Sequence, residues 1–314
     1  MKVPAVDFVL VIDKPPGPTS HDVVAVVRRA IGVKRIGHTG TLDPLATGVL
    51  ALVVGKTTRL AAYLSGTEKE YVARVRFGAT TATYDAEAAR ETAPSTGMQV
   101  PRTETEVARA LPGFLGTYLQ QPPPFSAKKI AGTPAYTLAR QQKPVEIKPA
   151  RVTVRELELR GYAGGLAELR IVCSSGFYVR SFAHDLGQRL GCGAFLEALQ
   201  RTRSGDFTLE DAVPLATVIA DPIAATARAV PMHRLLPELP AVVLTDEGVR
   251  RTGHGSALRD GDFTPSTPAF VPPLGGEPGT PPPVRVRLLD GRGALLGLAE
   301  AREPRTLHPV LVLV

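Results

Sequence analysis

Apolar and polar positions along the chain fall into short regular runs. Phe8-Val-Leu-Val-Ile12 is unbroken and reads as a buried strand, ended by the rigid turn Lys14-Pro-Pro-Gly-Pro18. Thr19 or Ser20 can then cap a helix through Asp22–Arg29, and Gly32 closes it. A glycine-rich loop, Gly37–Pro44, leads into a second apolar strand, Val49–Val54. Tyr71–Phe77 alternates as a strand with one wet face. Val152–Leu159 and Leu166–Cys173 read as paired strands around Gly161–Gly165, and Val179–Leu190 as a helix stopped by Gly191. Residues 120–150, rich in Pro, Lys and Gln, read as an arm or loop insertion. Residues 214–240 carry several prolines and a short alanine-rich helix, and link to a second domain. From 241 onward short strands dominate. Val284–Leu289, the turn Asp290-Gly291 and Ala294–Leu298 form a hairpin pattern, and Pro309–Val314 is a final strand. A small β-barrel is the natural reading, with the proline-rich run 272–283 as a loop inside it.

Composition adds limits. The 314 residues suffice for two domains, and a 44% hydrophobic content suffices for sizeable cores. Lys and Arg outnumber Asp and Glu by 37 to 30, which favours a polyanionic partner but also fits a protein that is merely basic. The two cysteines, Cys173 and Cys192, lie far apart, against a disulfide framework or a zinc site, and the histidines never reach metal-ligand spacing. No signal peptide or membrane span is visible, so a cytoplasmic protein is expected.

Two patterns resemble catalytic motifs and fail on inspection. Gly48–Thr57 has too many residues, all apolar, between its glycines to be a phosphate-binding loop. His184-Asp185 with Ser174 or Ser175 lacks a nucleophile elbow, and the adjacent pair diverges on a helix.

The segment Gly37-His-Thr-Gly-Thr-Leu-Asp-Pro-Leu-Ala-Thr-Gly48 is the most informative in the chain. Its glycines permit close backbone approach, and Asp43 is the sole acid between Arg28 and Thr67. Asp43 can cap a helix beginning at Pro44, or be a carboxylate held rigidly against a substrate.

This loop resembles the catalytic motif of the TruB family of tRNA pseudouridine synthases, G-H-x-G-x-L-D-P-x-A-T-G-x-L, at every fixed position through Leu50. Lys14-Pro15-x-Gly17-x-Thr19-Ser20, Lys69-x-Tyr71, Tyr178-Val-Arg180, Gly191-Cys-Gly-Ala194 and Leu199-x-Arg201-Thr-Arg-Ser-Gly205 match in order along essentially the whole chain. Two departures stand out: Gln200 where the family usually has Arg, and the added 272–283 loop.

The resemblance implies an α+β pseudouridine synthase fold. It would have a central mixed, mostly antiparallel sheet flanked by helices over residues 1–235, and a PUA-like RNA-binding barrel over 236–314. It implies that a uridine in the T-loop of tRNA, position 55, is flipped out and isomerised to pseudouridine. Asp43 would be essential, paired with Arg180, with Tyr71 stacked under the uracil and its hydroxyl available for proton handling at carbon 5. His38, Tyr178, Leu199, Lys14 and, on the arm at 120–150, Lys128 would bind substrate. Substrate and product are isomers, so no cofactor or metal is expected. The tRNA T-arm is the expected partner of a monomer with no obligate protein partner. The alternatives are the same fold acting on another RNA or with a guide RNA, and a non-catalytic tRNA-binding or tRNA-folding protein.

Overall fold

The computed structural model describes residues 7–87, 100–101, 103–125, 129–130, 133–134, 148–265, 284–303 and 305–314. Two sheets organise most of them, beside a two-stranded pairing of Lys129–Ile130 with Thr133–Pro134. The larger has 11 strands, of which eight carry the argument: β1 (Phe8–Lys14), β2 (Ile36–His38), β3 (Thr47–Val54), β4 (Lys69–Phe77), β5 (Gly116–Gln120), β6 (Ala150–Ala163), β7 (Leu166–Cys173) and β8 (Ala194–Ser204). The spatial order is β1-β3-β8-β4-β7-β6-β5, with β2 also on β3 and the short strand Val213–Pro214 outside β1. Pairing is antiparallel except at β1 with Val213–Pro214 and at β3 with β8. The fold is therefore α+β around a central mixed sheet.

Helices flank it, among them α1 (Ser20–Ile31), α2 (Ala61–Ser65), α3 (Glu104–Ala110) and α4 (Val179–Arg189). Thr19, not Ser20, caps α1: its hydroxyl accepts from the Asp22 amide while Asp22 accepts from the Thr19 amide. Ser20 instead points inward, donating to the Leu42 carbonyl and accepting from the Leu42 amide, so the first turn of α1 grips the loop that carries Asp43. Gly32 ends the helix in the left-handed conformation, and Val23, Val27 and Ile31 form its buried stripe.

Because β1 and β3 are covered on both faces, their apolar runs are continuous rather than alternating. Leu10, Ile12, Leu50 and Leu52 pack with α1 and α4 residues in the main core. Val9, Val11, Val49, Ala51 and Val53 belong to a second cluster that also holds Leu60, Leu64, Leu235 and Leu236 and reaches Leu295, Leu298 and Leu313 of the smaller sheet.

That smaller sheet runs Phe263–Pro265, Ala241–Leu244, Arg285–Leu289, Leu295–Glu303, Thr306–Val312, with Ala241–Leu244 and Arg285–Leu289 parallel. The hairpin expected at Asp290-Gly291 is present. The last strand begins earlier than expected, at Thr306, and Pro309 sits inside it where the ladder slips between Leu298 and Ala299. A residue without an N–H is tolerated at such an irregularity. The 272–283 loop and most of the arm, including Lys128, lie outside the described residues.

Candidate active site

The structure removes one reading of Asp43. Residues 44–46 form a turn, closed by the Ala46 amide on the Asp43 carbonyl, so no helix begins at Pro44 for Asp43 to cap. The carboxylate instead faces a cavity of about 490 Å³ that Tyr71, Tyr178, Arg180 and Leu199 also line.

Arg180, from the first turn of α4, is buried and holds Asp43. Its Nη2 donates to Oδ1 at 3.1 Å, and Nε lies 2.9 Å from Oδ2 without hydrogen-bond alignment. Its Nη1 donates to the Thr83 carbonyl at 3.1 Å and sits 3.6 Å from Asp85. One guanidinium thus spans two carboxylates through a planar fork with fixed donor directions. Asp85 is almost wholly buried, and burial pushes its carboxyl upward despite help from Thr83 and Arg180. Glu87, also pushed up by burial, accepts from the Leu45 amide at 3.0 Å and ties the same segment to the Asp43 loop.

Lys14 is not a substrate-facing cation. It is fully buried, and its Nζ donates to the carbonyls of Pro15, Pro44 and Ala46, bracing the loop from behind. Burial lowers its pKa to about 8, against the pull of Asp43 and Glu87. His38 ends β2, half-buried, with its ring edge-on to His21 at 5.4 Å; its neighbour Thr39 lines the cavity, and His38 does not. Tyr178 is fixed by Gln120, which accepts from its amide at 2.8 Å and donates to its carbonyl at 3.0 Å. Gln200 is exposed at the point where β8 meets Thr47. Ser174 and Ser175 line the cavity, whereas His184 stacks on Tyr84 at 3.9 Å.

Three supports of the site have no role assigned from sequence, although Arg201 stands in a matched motif. Asp85 and Gln120 carry no local signature, because their partners lie far along the chain. Arg201 is the third. It faces Tyr71 across the β8–β4 ladder and is the largest fully buried side chain described. Its Nε donates to the Val49 carbonyl at 2.7 Å and Nη2 to the Gly40 carbonyl at 3.0 Å. Gly48 must be glycine here: φ is +93° and a Cβ would lie 2.3 Å from the Arg201 carbonyl oxygen.

The TruB family pseudouridylate synthase N-terminal domain model matches residues 28–179, and the tRNA pseudouridylate synthase B C-terminal domain model matches residues 180–239. The chain is 42% identical over 311 residues to a tRNA pseudouridine synthase B of Solibacter usitatus, covering 98% of this chain and 100% of that protein. It is 44% identical over 234 residues to that of Opitutus terrae, covering 74% of this chain and 96% of that protein. Among solved structures, an H/ACA RNP bound to a substrate RNA containing 2'-deoxyuridine aligns with a TM-score of 0.71 at 23% identity, over 98% of this chain and 85% of that one. At that identity the likeness speaks for the fold alone.

Proposed function

The chain belongs to the TruB family and isomerises uridine in tRNA to pseudouridine; from that premise we propose that its target is position 55 in the T-loop, flipped into the Asp43 cavity. The observation that carries this is the Asp43–Arg180 pair at a cavity wide enough for a nucleotide. A base buried in a folded loop has to leave its stack before its glycosidic bond can be reached. The bond from C1′ to N1 then breaks, the uracil turns, and C5 joins C1′.

In this reading the Arg180 guanidinium pairs with the Asp43 carboxylate and fixes its direction toward the sugar or the base. Tyr71, buried at the cavity wall, is the platform under the uracil, and its hydroxyl handles the proton of C5. Leu199 and Tyr178 close the pocket around the base. His38 approaches the nucleotide from the end of β2, and Lys128 acts with the arm on the T-arm backbone. The smaller sheet serves as a PUA-like RNA-binding domain over residues 236–314, attached to a catalytic domain over 1–235. Its arginines contact phosphate and set position rather than read sequence. The enzyme acts as a monomer in the cytoplasm. No helix among the described residues is long and apolar enough to cross a membrane.

Base-resolved mapping of pseudouridine in unmodified tRNA incubated with the purified chain tests this reading. The expected product is pseudouridine at position 55 alone, absent with Asp43→Asn. Modification at other positions would reject the T-loop assignment, and an active Asp43→Asn would reject the assignment of Asp43.

A further inference from the structure

Arg201 is an unusual residue to find in a wall of this cavity. A guanidinium with 2% of its surface exposed would ordinarily be balanced by a carboxylate. Among the described residues Arg201 has none. Its hydrogen bonds go to main-chain carbonyls of residues 40, 41 and 49, which satisfy donors but leave the charge in place. The backbone around it is built for this: β3 and β8 run parallel only at Thr47–Gly48 against Gln200–Arg201, and Gly48 lets the two strands close in. The side chain facing that charge across the ladder is Tyr71.

Tyr71 sits where a phenol is hard to ionise. It is buried, and Asp43 lies nearby, so burial and a neighbouring negative charge both oppose a phenolate. Among the groups acting on the phenol, Arg201 is the cation opposing both.

We propose that Arg201 is the counter-charge that lets Tyr71 exchange its proton during the isomerisation, acting as a positioning and electrostatic residue rather than only as a brace for the Asp43 loop. The inference rests on the reading of Tyr71 given above. Once C5 has joined C1′, C5 bears a hydrogen and the ring holds an N1=C6 double bond. The Tyr71 hydroxyl releases its proton to N1, directly or through water, as its oxygen takes the proton from C5. The C5–H electron pair closes C5=C6, and the N1=C6 pair returns to N1. One proton leaves carbon, one reaches nitrogen, and Tyr71 ends as it began. Negative charge is transient on the phenol oxygen, with the Arg201 guanidinium placed to stabilise it. A preorganised charge at such a point is worth more in a dry site than in water.

The test is a double-mutant cycle on single-turnover rates, with tRNA affinity and thermal midpoint measured for each protein and the release of tritium from C5 as readout. Arg201→Met is expected to slow tritium release about 100-fold while tRNA binding changes by less than about threefold. Arg201→Lys, which keeps the charge without the fork, should recover at least about tenfold of that loss. In a Tyr71→Phe background Arg201→Met should cost less than about threefold more. Should Arg201→Met prove unfolded, Arg201→Lys against wild type, in the Tyr71 and Tyr71→Phe backgrounds, completes the same cycle. Full additivity with Tyr71→Phe, or an Arg201→Lys as slow as Arg201→Met in a folded protein, would overturn the inference and leave Arg201 a structural brace. A Tyr71→Phe enzyme at wild-type speed would instead remove the reading of Tyr71 on which it stands.

Discussion

The same strands face opposite demands on the two sides of the large sheet. Toward α1 and α4 the strands β1, β4 and β8 deliver Lys14, Lys69, Tyr71 and Arg201 into buried positions, each of the three cations bonded to oxygen. On the reverse, Val9, Val11, Val49, Ala51 and Val53 join an apolar cluster that reaches the smaller sheet. One side holds expensive groups in fixed directions; the other supplies stability that tolerates exchange of one aliphatic residue for another. Function and stability are thereby separated by the thickness of a single strand.

Asp43→Asn puts that separation to its hardest test. The amide keeps the shape and loses the nucleophile or base, so turnover should fall by at least about three orders of magnitude, with tRNA binding retained. Rates within tenfold of wild type would place the chemistry elsewhere. Arg180→Ala leaves Asp43 and the buried Asp85 unpaired together. Allowing for the partial exposure of Asp43, it should cost about 2–3 kcal/mol in chemical denaturation as well as activity; an active and fully stable variant would break the comparison from the front.

Leu298→Ala attacks from behind. Leu298 is fully buried in the cluster joining the sheets, and its truncation should cost about 2–4 kcal/mol while the rate per folded molecule stays unchanged. A slowed but folded Leu298→Ala enzyme would show that the rear packing sets the site. The smallest effect concerns pH. Burial holds Lys14 near pKa 8 in the folded protein, below its unfolded value. Between those values the unfolded chain binds the extra proton, so stability gains from Lys14 as pH rises above about 8. Wild type should therefore gain on Lys14→Gln in unfolding free energy from pH 8 to pH 10, and a constant difference would show that Lys14 keeps its ordinary affinity for a proton.

What the sequence made legible follows this division. Apolar runs identified β1 and β3, and caps marked the ends of α1, because those signals are local. Asp43, Tyr71 and Arg180 were found through motifs, and the structure brings them to one cavity. Lys14 was misjudged for a physical reason: an ammonium bonded to three carbonyls looks, in sequence, like any other lysine. His38 shares a motif with Asp43 yet stands beside the cavity, its ring edge-on to His21. Asp85 and Gln120 carry no such signal, and Arg201 stands in a matched motif that shows no role for it, because each acts on a partner brought close only by the fold. Which partner covers the rear of β1 and β3 was equally invisible, and it bears on how the smaller sheet can be studied. Cutting the chain near residue 241 would strip Leu295, Leu298 and Leu313 from that cluster, so single arginine substitutions on the smaller sheet are the cleaner probe of RNA binding.

The parallel contact of Thr47 and Gly48 with Gln200 and Arg201 also carries a consequence for birth of the enzyme. Asp43 leaves the ribosome early, but its loop is held by Arg180 and Arg201, made well over a hundred residues later. Contacts so distant in sequence close late and slowly. A nascent chain ending before α4 therefore carries the aspartate on a loop held by Ser20 and Lys14 but without the guanidinium that directs its carboxylate.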